Sequence, residues 1–214
     1  SSLYTLPSNE EIHGLQETSD LYMNNMFKLQ LDEMLKYIHP SGGHKQAIEH
    51  LLRSLQACIM CVPKIDPQPL SKAVQELTSR VGHSVHIPLV EPVPREDPAY
   101  MIAFEPPEAL NLVGSWPLHT VTRRVGEMDV DMEVVMPSKL FQEKDTLNAR
   151  YFTKRAFYLA VILAYVEQNH AALGVRAEWL YVGGDPRRSC LVLRPTPEAH
   201  DLIKTHTIVR IHVA

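Results

Sequence analysis

The stretch EALNLVGSWPLHTVTRRVGEMDVDMEVVMP, residues 108–137, sets the organisation of the chain. It joins a short strand that ends at Gly114-Ser115 to a second strand that carries Asp129 and Asp131. Side chains two residues apart on a strand point to the same face, so both carboxylates face the same way. A serine in a tight turn facing paired carboxylates is the minimal arrangement of a metal-dependent nucleotide-transferring site. Whether this site is complete depends on the carboxylates that the later strands provide.

Composition narrows the class of protein. The chain has 214 residues, 45% of them hydrophobic and 21% charged, which suffices for one good core or for a domain with a helical appendage. A formal net charge of −4 argues against a dedicated, uniformly basic nucleic-acid-binding domain. There is no secretory signal, and the longest apolar run, Ala156 to Val166, has 11 residues, too few to span a bilayer. We therefore expect no membrane partner.

The first part of the chain is expected to be helical. Residues 1–19 are polar without periodicity and are interpreted as a flexible tail. Apolar residues then recur at helical spacing from Leu21, with Asp20 as the N-cap, and again from Ile48 to Val62, on either side of the breaker at 39–43. This pattern predicts an antiparallel helical hairpin. Its Met and Leu stripe is expected to pack inside the hairpin, with the docking of a partner helix as the alternative.

The remaining elements predict a mixed α/β (α+β) fold. A proline-containing linker and a third helix complete an N-terminal helical region over 20–82, and a proline-rich connector over 83–99 marks the predicted boundary. The domain over 100–214 is expected to contain a mixed sheet and one long buried helix. Its predicted strands are 100–104, 109–113, 128–136, 177–183, 189–194 and 207–213, and its predicted helix, capped by Asp145, is 145–172. Both ends of the chain suggest a fragment of a longer protein.

A third carboxylate is missing from the predicted site. Glu133 shares the face of the aspartates but lies about 13 Å from Asp129 along the strand, too far for one compact metal pair. The predicted strands 189–194 and 207–213 contain no acid, and Glu178 sits at the start of the strand before them. Two carboxylates hold Mg²⁺ weakly, so the arrangement is a poor catalytic site. The alternative interpretation is that the acids are the solvated face of a half-exposed strand.

Four segments carry a resemblance to known families. Gly114-Ser115 followed by Asp129-x-Asp131 resembles the nucleotidyltransferase superfamily of poly(A) polymerases and CCA-adding enzymes. A closer resemblance, over roughly residues 20–214, is to the Nrap (nucleolar RNA-associated protein) family. It rests on the segments VGSWPL at 113–118, VDMEVVMP at 130–137, LFQEKD at 140–145 and NARYFTKRAFYL at 148–159.

The resemblance implies a degenerate nucleotidyltransferase-like fold. Members of the Nrap family are several times longer, contain tandem poly(A)-polymerase-like modules without activity, and are structural components of the small-subunit processome that matures the precursor of 18S ribosomal RNA. The resemblance therefore implies a nucleolar scaffold without catalytic residues, metal or cofactor. Its implied partners are other processome proteins, and direct binding of pre-ribosomal RNA stays an open alternative. Gly114, Ser115, Asp129 and Asp131 would be vestigial positions. Because both aspartates are retained, residual metal or nucleotide binding also stays open.

Basic residues around the predicted cleft and the start of the long helix are the candidates for RNA or partner contacts. They are Arg123, Arg124, Lys144, Arg150, Lys154, Arg155, Arg187 and Arg188. The alternative for those on the helix is a solvated helix end or pairing with Glu143 and Asp145.

Aromatic and thiol residues have simpler expected roles. Tyr151, Phe152, Phe157 and Tyr158 could stack on bases, but their place on a buried helix favours core packing. Cys58 and Cys61 are expected to be core thiols in a reducing compartment, because nothing nearby completes a tetrahedral zinc site. The 11 histidines show no metal-binding motif.

Three functions are compatible with these observations. The leading hypothesis is a non-catalytic scaffold for assembly of the small ribosomal subunit. The second is an active Mg²⁺-dependent nucleotidyltransferase acting on RNA ends. The third is a helical adaptor that binds protein partners through the 20–62 hairpin.

Overall fold

The structure is a computed structural model that describes residues 6–23, 25–89, 101–122, 128–147, 150–196, 199 and 207–214. These residues fall into two compact units, one up to His39 and one from Pro40 onward. The first unit contains α1 (Asn9–Met23) and α2 (Asn25–Ile38). The second contains all the strands and the remaining helices. The boundary predicted at 83–99 therefore falls inside the second unit.

Helix α1 replaces most of the expected tail. The Ser8 hydroxyl accepts a hydrogen bond from the Glu11 amide at 3.2 Å, and the Glu11 carboxylate accepts one from the Ser8 amide at 2.7 Å. This reciprocal pair is a capping box, which satisfies two amide groups that a helix start leaves unpaired. The interpretation of 1–19 as a tail is thus wrong from residue 9 onward, and Asp20 lies inside α1 rather than at an N-cap.

The apolar stripes of the two predicted hairpin helices differ in burial. None of the described side chains of α2 is buried, so its Met and Leu stripe is not a core stripe. Helix α3 (Gly42–Met60), capped by Ser41, does bury its stripe in the second unit. Its buried residues are Ile48, Leu51, Leu52, Leu55 and Ile59. The two helices predicted to form one hairpin therefore belong to separate units.

A small antiparallel sheet forms where a linker was expected. Strand β1 (Ile65–Pro69) pairs with β2 (Met101–Phe104), with Ile65 opposite Phe104. Helix α4 (Leu70–Val81) follows β1 directly and ends at Gly82, whose positive φ of 79° gives a left-handed C-cap. The pairing of β1 with β2 ties the chain before the proline-rich connector to the chain after it.

The main sheet has five strands in the order β3-β4-β7-β6-β5. The strands are β3 (Ala109–Val113), β4 (Met128–Val135), β5 (Val175–Tyr181), β6 (Ser189–Pro195) and β7 (Thr207–Val213). Only β4 and β7 run parallel, and the other neighbours are antiparallel. The predicted mixed sheet is confirmed. The turn predicted at 183–186 lies between β5 and β6, as expected.

Helix α6 is the core of the second unit. The region predicted as one helix contains α5 (Lys144–Leu147), α6 (Arg150–Gln168) and α7 (His170–Leu173). Every residue from Ala156 to Ala164 is buried. Helix α6 contacts β5 and β6 of the main sheet, and also α3, α4 and β2. The prediction of a long buried helix is therefore confirmed. The helix packs against the main sheet and also against α3, α4 and β2.

Two side chains of α6, Tyr158 and Lys154, connect this helix to the segments around it. Tyr158 is fully buried, its hydroxyl donates to the Glu105 carbonyl at 2.9 Å, and burial raises its pKa. Lys154 donates to the Leu140 carbonyl at 2.7 Å and pairs with Asp145 at 2.6 Å. The Asp145 side chain is only 2% exposed, and it also accepts from the Gln142 amide at 2.7 Å. Asp145 therefore anchors the segment before α6 rather than capping α6.

The thiols are only partly in the core. All three cysteines are free; Cys190 is buried, Cys58 is half-buried and Cys61 is exposed. The prediction of a core thiol is thus wrong for Cys61. Separately, none of the helices in the described ranges is long and apolar enough to cross a bilayer.

Replacing Lys154 by Ala should destabilise the fold by about 3 kcal/mol, because it leaves a buried carboxylate without its counter-ion. Lys144→Ala is the matched control, since Lys144 is an exposed lysine on neighbouring α5. This variant should change the free energy of unfolding by no more than about 0.5 kcal/mol. Urea denaturation of both variants measures the difference. Equal losses would show that the Lys154–Asp145 pair does not anchor the segment.

Candidate functional site

The two aspartates lie on the same face of β4. Along this strand Met128, Val130, Met132 and Val134 are buried and the residues between them are partly exposed. The side chains of Asp129 and Asp131 are 42% and 26% exposed. The α6 side of the sheet is thus apolar and the opposite side carries the carboxylates.

Strand β7 supplies cations to these carboxylates. It runs parallel to β4, with Arg210 paired with Asp131 and His212 with Glu133. The Arg210 guanidinium contacts Asp129 through Nη2 and lies 3.6 Å from Asp131 Oδ1 through Nη1. His212 Nε2 lies 3.2 Å from the same Oδ1, a contact that is an ion pair only when the imidazole is protonated. Both carboxylates therefore have intramolecular partners on the neighbouring strand.

The Gly114-Ser115 turn lies against Asp131. Strand β3 ends with Val113 opposite Asp131, and Gly114 then adopts a positive φ of 73°. The backbone angle favours glycine, and a Cβ atom at Gly114 would lie 3.1 Å from Asp131 Oδ2, close enough to crowd that carboxylate. The Thr120 amide closes the turn by donating to the Ser115 carbonyl at 3.0 Å. The turn therefore lies next to Asp131 at Gly114.

No third acid approaches this pair from the described strands. Glu133 Oε2 accepts a hydrogen bond from Asn111 at 3.1 Å, further along β4. Glu178 is on β5, three strand spacings from β4, or roughly 14 Å. The β6 residue paired with Arg210 is the buried Val192. Within the described ranges, moreover, no three His, Cys, Asp or Glu side chains form a metal-binding group.

The basic candidates differ in accessibility. Arg187 and Arg188 are exposed in the short 3-10 turn between β5 and β6, and neither side chain forms an ion pair with a described residue. Arg155 reaches this turn from α6 and donates to the Arg187 carbonyl at 2.7 Å. Three guanidinium groups thus belong to one corner of the domain, which we call the arginine corner (Arg155, Arg187 and Arg188).

The other basic candidates that the structure describes differ in their burial. Lys154 is 13% exposed and pairs with Asp145, so it cannot serve as a surface contact. Lys144 is exposed on α5, and Arg150 is half-buried at the start of α6. Arg123 and Arg124 lie outside the described residues.

Two of the four aromatic candidates belong to the core. Phe157 and Tyr158 are fully buried, which confirms core packing for both. Tyr151 is half-buried, with ring centroids 5.6 Å from Phe141 and 5.5 Å from Phe152. Phe152 is the most accessible of the four, at 36% exposed, so the prediction of core packing is wrong for this residue. Base stacking by Phe157 or Tyr158 is excluded by their burial.

Sequence reasoning missed Arg210 and His212. The run 207–213 contains no acid, but it holds these two polar residues at a spacing of two within an apolar strand. That spacing places them on one face, as it does for the aspartates.

Cys190 lies near the same charges, and burial raises the pKa of its thiol despite the opposing effect of Arg210.

Gly114→Ala should destabilise the domain more than Gly183→Ala. Both glycines have positive φ, 73° and 69°, so both variants carry the left-handed penalty of about 1 to 2 kcal/mol. Only Gly114 has Asp131 within 4 Å of the added Cβ, whereas Gly183 faces open space. Thermal unfolding of the two variants isolates the contact with Asp131. Equal melting temperatures would contradict close packing of the turn on that carboxylate.

Comparison with known proteins identifies the family. The family described as Nrap protein domain 1 matches residues 67–214. Curated relatives include Nucleolar protein 6 of Xenopus laevis, 30% identical over 213 residues that cover 100% of this chain and 17% of that protein. Nucleolar protein 6 of Homo sapiens is 32% identical over 216 residues, covering 99% of this chain and 17% of that protein.

A more distant relative is U3 small nucleolar RNA-associated protein 22 of Saccharomyces cerevisiae, 27% identical over 187 residues, which cover 85% of this chain and 15% of that protein. The chain thus spans about a sixth of the length of these relatives. Since the family match includes β4, α6 and β7, the elements that build the site and the core, this chain belongs to the Nrap domain 1 family.

Proposed function

We propose that this chain is a non-catalytic module of a nucleolar protein that acts in ribosome biogenesis, as a scaffold of the small-subunit processome during maturation of the 18S rRNA precursor. Family membership and the relatives' names, Nucleolar protein 6 and U3 small nucleolar RNA-associated protein 22, support the nucleolar role. The observation that carries the non-catalytic part is the pairing of Asp129 and Asp131 with Arg210.

The physical reason is competition for the carboxylates. Two-metal nucleotidyl transfer needs carboxylates that are free to bridge divalent ions about 3.5–4 Å apart. Here the strand next to β4 brings a guanidinium and an imidazole to that position instead of an acid. A nucleotide's triphosphate would meet neither the metal ions nor the third ligand that the chemistry requires. The site is therefore better suited to hold the sheet together than to transfer a nucleotide.

The full-length protein should not extend an RNA primer with any ribonucleoside triphosphate in Mg²⁺ or Mn²⁺. Asp129→Asn/Asp131→Asn keeps side-chain size while removing both charges, so it should give the same background as the unmodified protein. An active CCA-adding enzyme in the same buffer is the positive control. Primer extension that disappears in the Asn double variant would overturn the proposal and favour the active enzyme.

The same variant tests the role in cells. In cells that depend on the introduced gene, Asp129→Asn/Asp131→Asn should sustain 18S rRNA accumulation at the level of the unmodified protein, because no chemistry is lost. Protein abundance is measured in parallel to correct for any loss of stability. Accumulation of uncleaved precursor at normal abundance would contradict a purely structural role for the pair.

The arginine corner is the best-supported RNA contact of this module. Arg187 and Arg188 are exposed, and the Arg155 guanidinium supports the turn that presents them. Arginine suits this role because its planar guanidinium can donate two parallel hydrogen bonds to a phosphate. We therefore include pre-ribosomal RNA among the proposed partners, beside other processome proteins.

Arg187→Glu/Arg188→Glu should weaken binding to single-stranded pre-ribosomal RNA and reduce its salt dependence. Losing two phosphate contacts should lower the slope of log affinity against log salt by about 1.4. Lys45→Glu/Lys72→Glu is the control, because it makes the same change in net charge at two exposed lysines of α3 and α4. Fluorescence anisotropy over a salt series gives both slopes. Identical slopes for the two double variants would exclude a localised contact at the arginine corner.

A further inference from the structure

The Arg210 guanidinium lies between the two carboxylates that a metal ion would bridge. Its Nη2 contacts Asp129 Oδ2, and its Nη1 lies 3.6 Å from Asp131 Oδ1. The position is set by the backbone, because Arg210 is paired with Asp131 on the adjacent parallel strand and its side chain shares the same face. The contact therefore depends on strand register and not on the chance orientation of a long surface side chain.

The guanidinium and a divalent ion are alternatives at this place. A bridging Mg²⁺ would need carboxylate oxygens about 2.1 Å away. The guanidinium now donates a hydrogen bond to one oxygen of Asp129 and lies 3.6 Å from one oxygen of Asp131. A metal ion would also have to approach a fixed positive charge a few ångströms away, and the imidazole of His212 already lies 3.2 Å from the same Asp131 oxygen. Both the loss of ligands and the repulsion act against metal binding.

We infer that Arg210 is an internal counter-ion that takes the place of the divalent cation between Asp129 and Asp131, and that its guanidinium keeps metal ions from the pair. The inference rests on the proposed non-catalytic function and names the residue responsible. The acids themselves are intact, and the Gly114 turn remains packed against Asp131. Removal of the arginine therefore leaves Asp129 without an ion-pair partner among the described residues, and Asp131 with the His212 imidazole.

Arg210→Asp turns this position into the missing third carboxylate. The new acid would lie one strand spacing from Asp131, about 4.8 Å between backbones, and on the same face. Three carboxylates with the adjacent His212 imidazole form a set of oxygen and nitrogen ligands that suits Mn²⁺. The variant gains a Mn²⁺ site at least ten times tighter than any binding by Asp129 and Asp131 in the unmodified protein.

Mn²⁺ binding to the full-length protein tests this directly. Free Mn²⁺ is counted by electron paramagnetic resonance during titration of the unmodified protein and of Arg210→Asp. Arg188→Asp is the matched control, because it makes the same charge change at an exposed arginine of the β5–β6 turn. Only Arg210→Asp should gain one Mn²⁺ equivalent, and the added change Asp131→Asn should remove it.

The outcomes separate this inference from the proposed function. Arg210→Asp that stays folded by circular dichroism and gains no Mn²⁺ overturns the inference and leaves the non-catalytic proposal standing. Mn²⁺ bound by the unmodified protein and lost in Asp129→Asn overturns the inference and also removes the main support for that proposal. Should Arg210→Asp unfold, Arg210→Ser decides in the same way, since it removes the guanidinium without adding a charge. The Arg210→Ser variant should bind Mn²⁺ more weakly than three carboxylates would. It should still bind Mn²⁺ more tightly than the unmodified protein.

Discussion

The structure of the second unit depends on the burial of α6. A helix that is apolar nearly all round must be covered on every side, because each fully buried Val, Leu, Ile or Phe side chain contributes about 1.5–3 kcal/mol relative to exposure. One side is covered by the main sheet and another by α3, α4 and β2. The helix therefore decides which face of the sheet is apolar and which is left for charged residues.

That division explains the chemistry of the other face. Since the even-numbered residues of β4, from Met128 to Val134, point toward α6, Asp129 and Asp131 must point away from it. Two carboxylates two residues apart repel one another unless a cation lies nearby. A metal-dependent nucleotide-transferring enzyme balances such a pair with metal ions, whereas here a side chain on the neighbouring strand does so. Either metal ions or the Arg210 guanidinium can balance the charge of the two carboxylates, and the two occupy the same place.

The sequence predicted those features that follow from local periodicity. Helix α4, the strands of the main sheet and the buried helix α6 all have the expected alternation or apolar run, and the structure places them close to the expected residues. Strand β1 was missed because three prolines, at 63, 67 and 69, mark a linker and its partner β2 is distant in sequence. Helix α1 was missed although Ser8-x-x-Glu11 is a local capping signal, since its apolar residues are sparse.

The pairing of Arg210 with the aspartates was beyond reach for a different reason. The contact joins residues 81 positions apart, and it requires both that β4 and β7 be neighbours and that their register be known. A shift of one residue would move Arg210 to the α6 side, where a charge could not be buried without a partner. Aspartates retained at such a site are therefore weak evidence of activity. Both aspartates have structural roles: Asp129 accepts a hydrogen bond from Arg210, and Asp131 lies 3.6 Å from the same guanidinium and packs against the Gly114 turn.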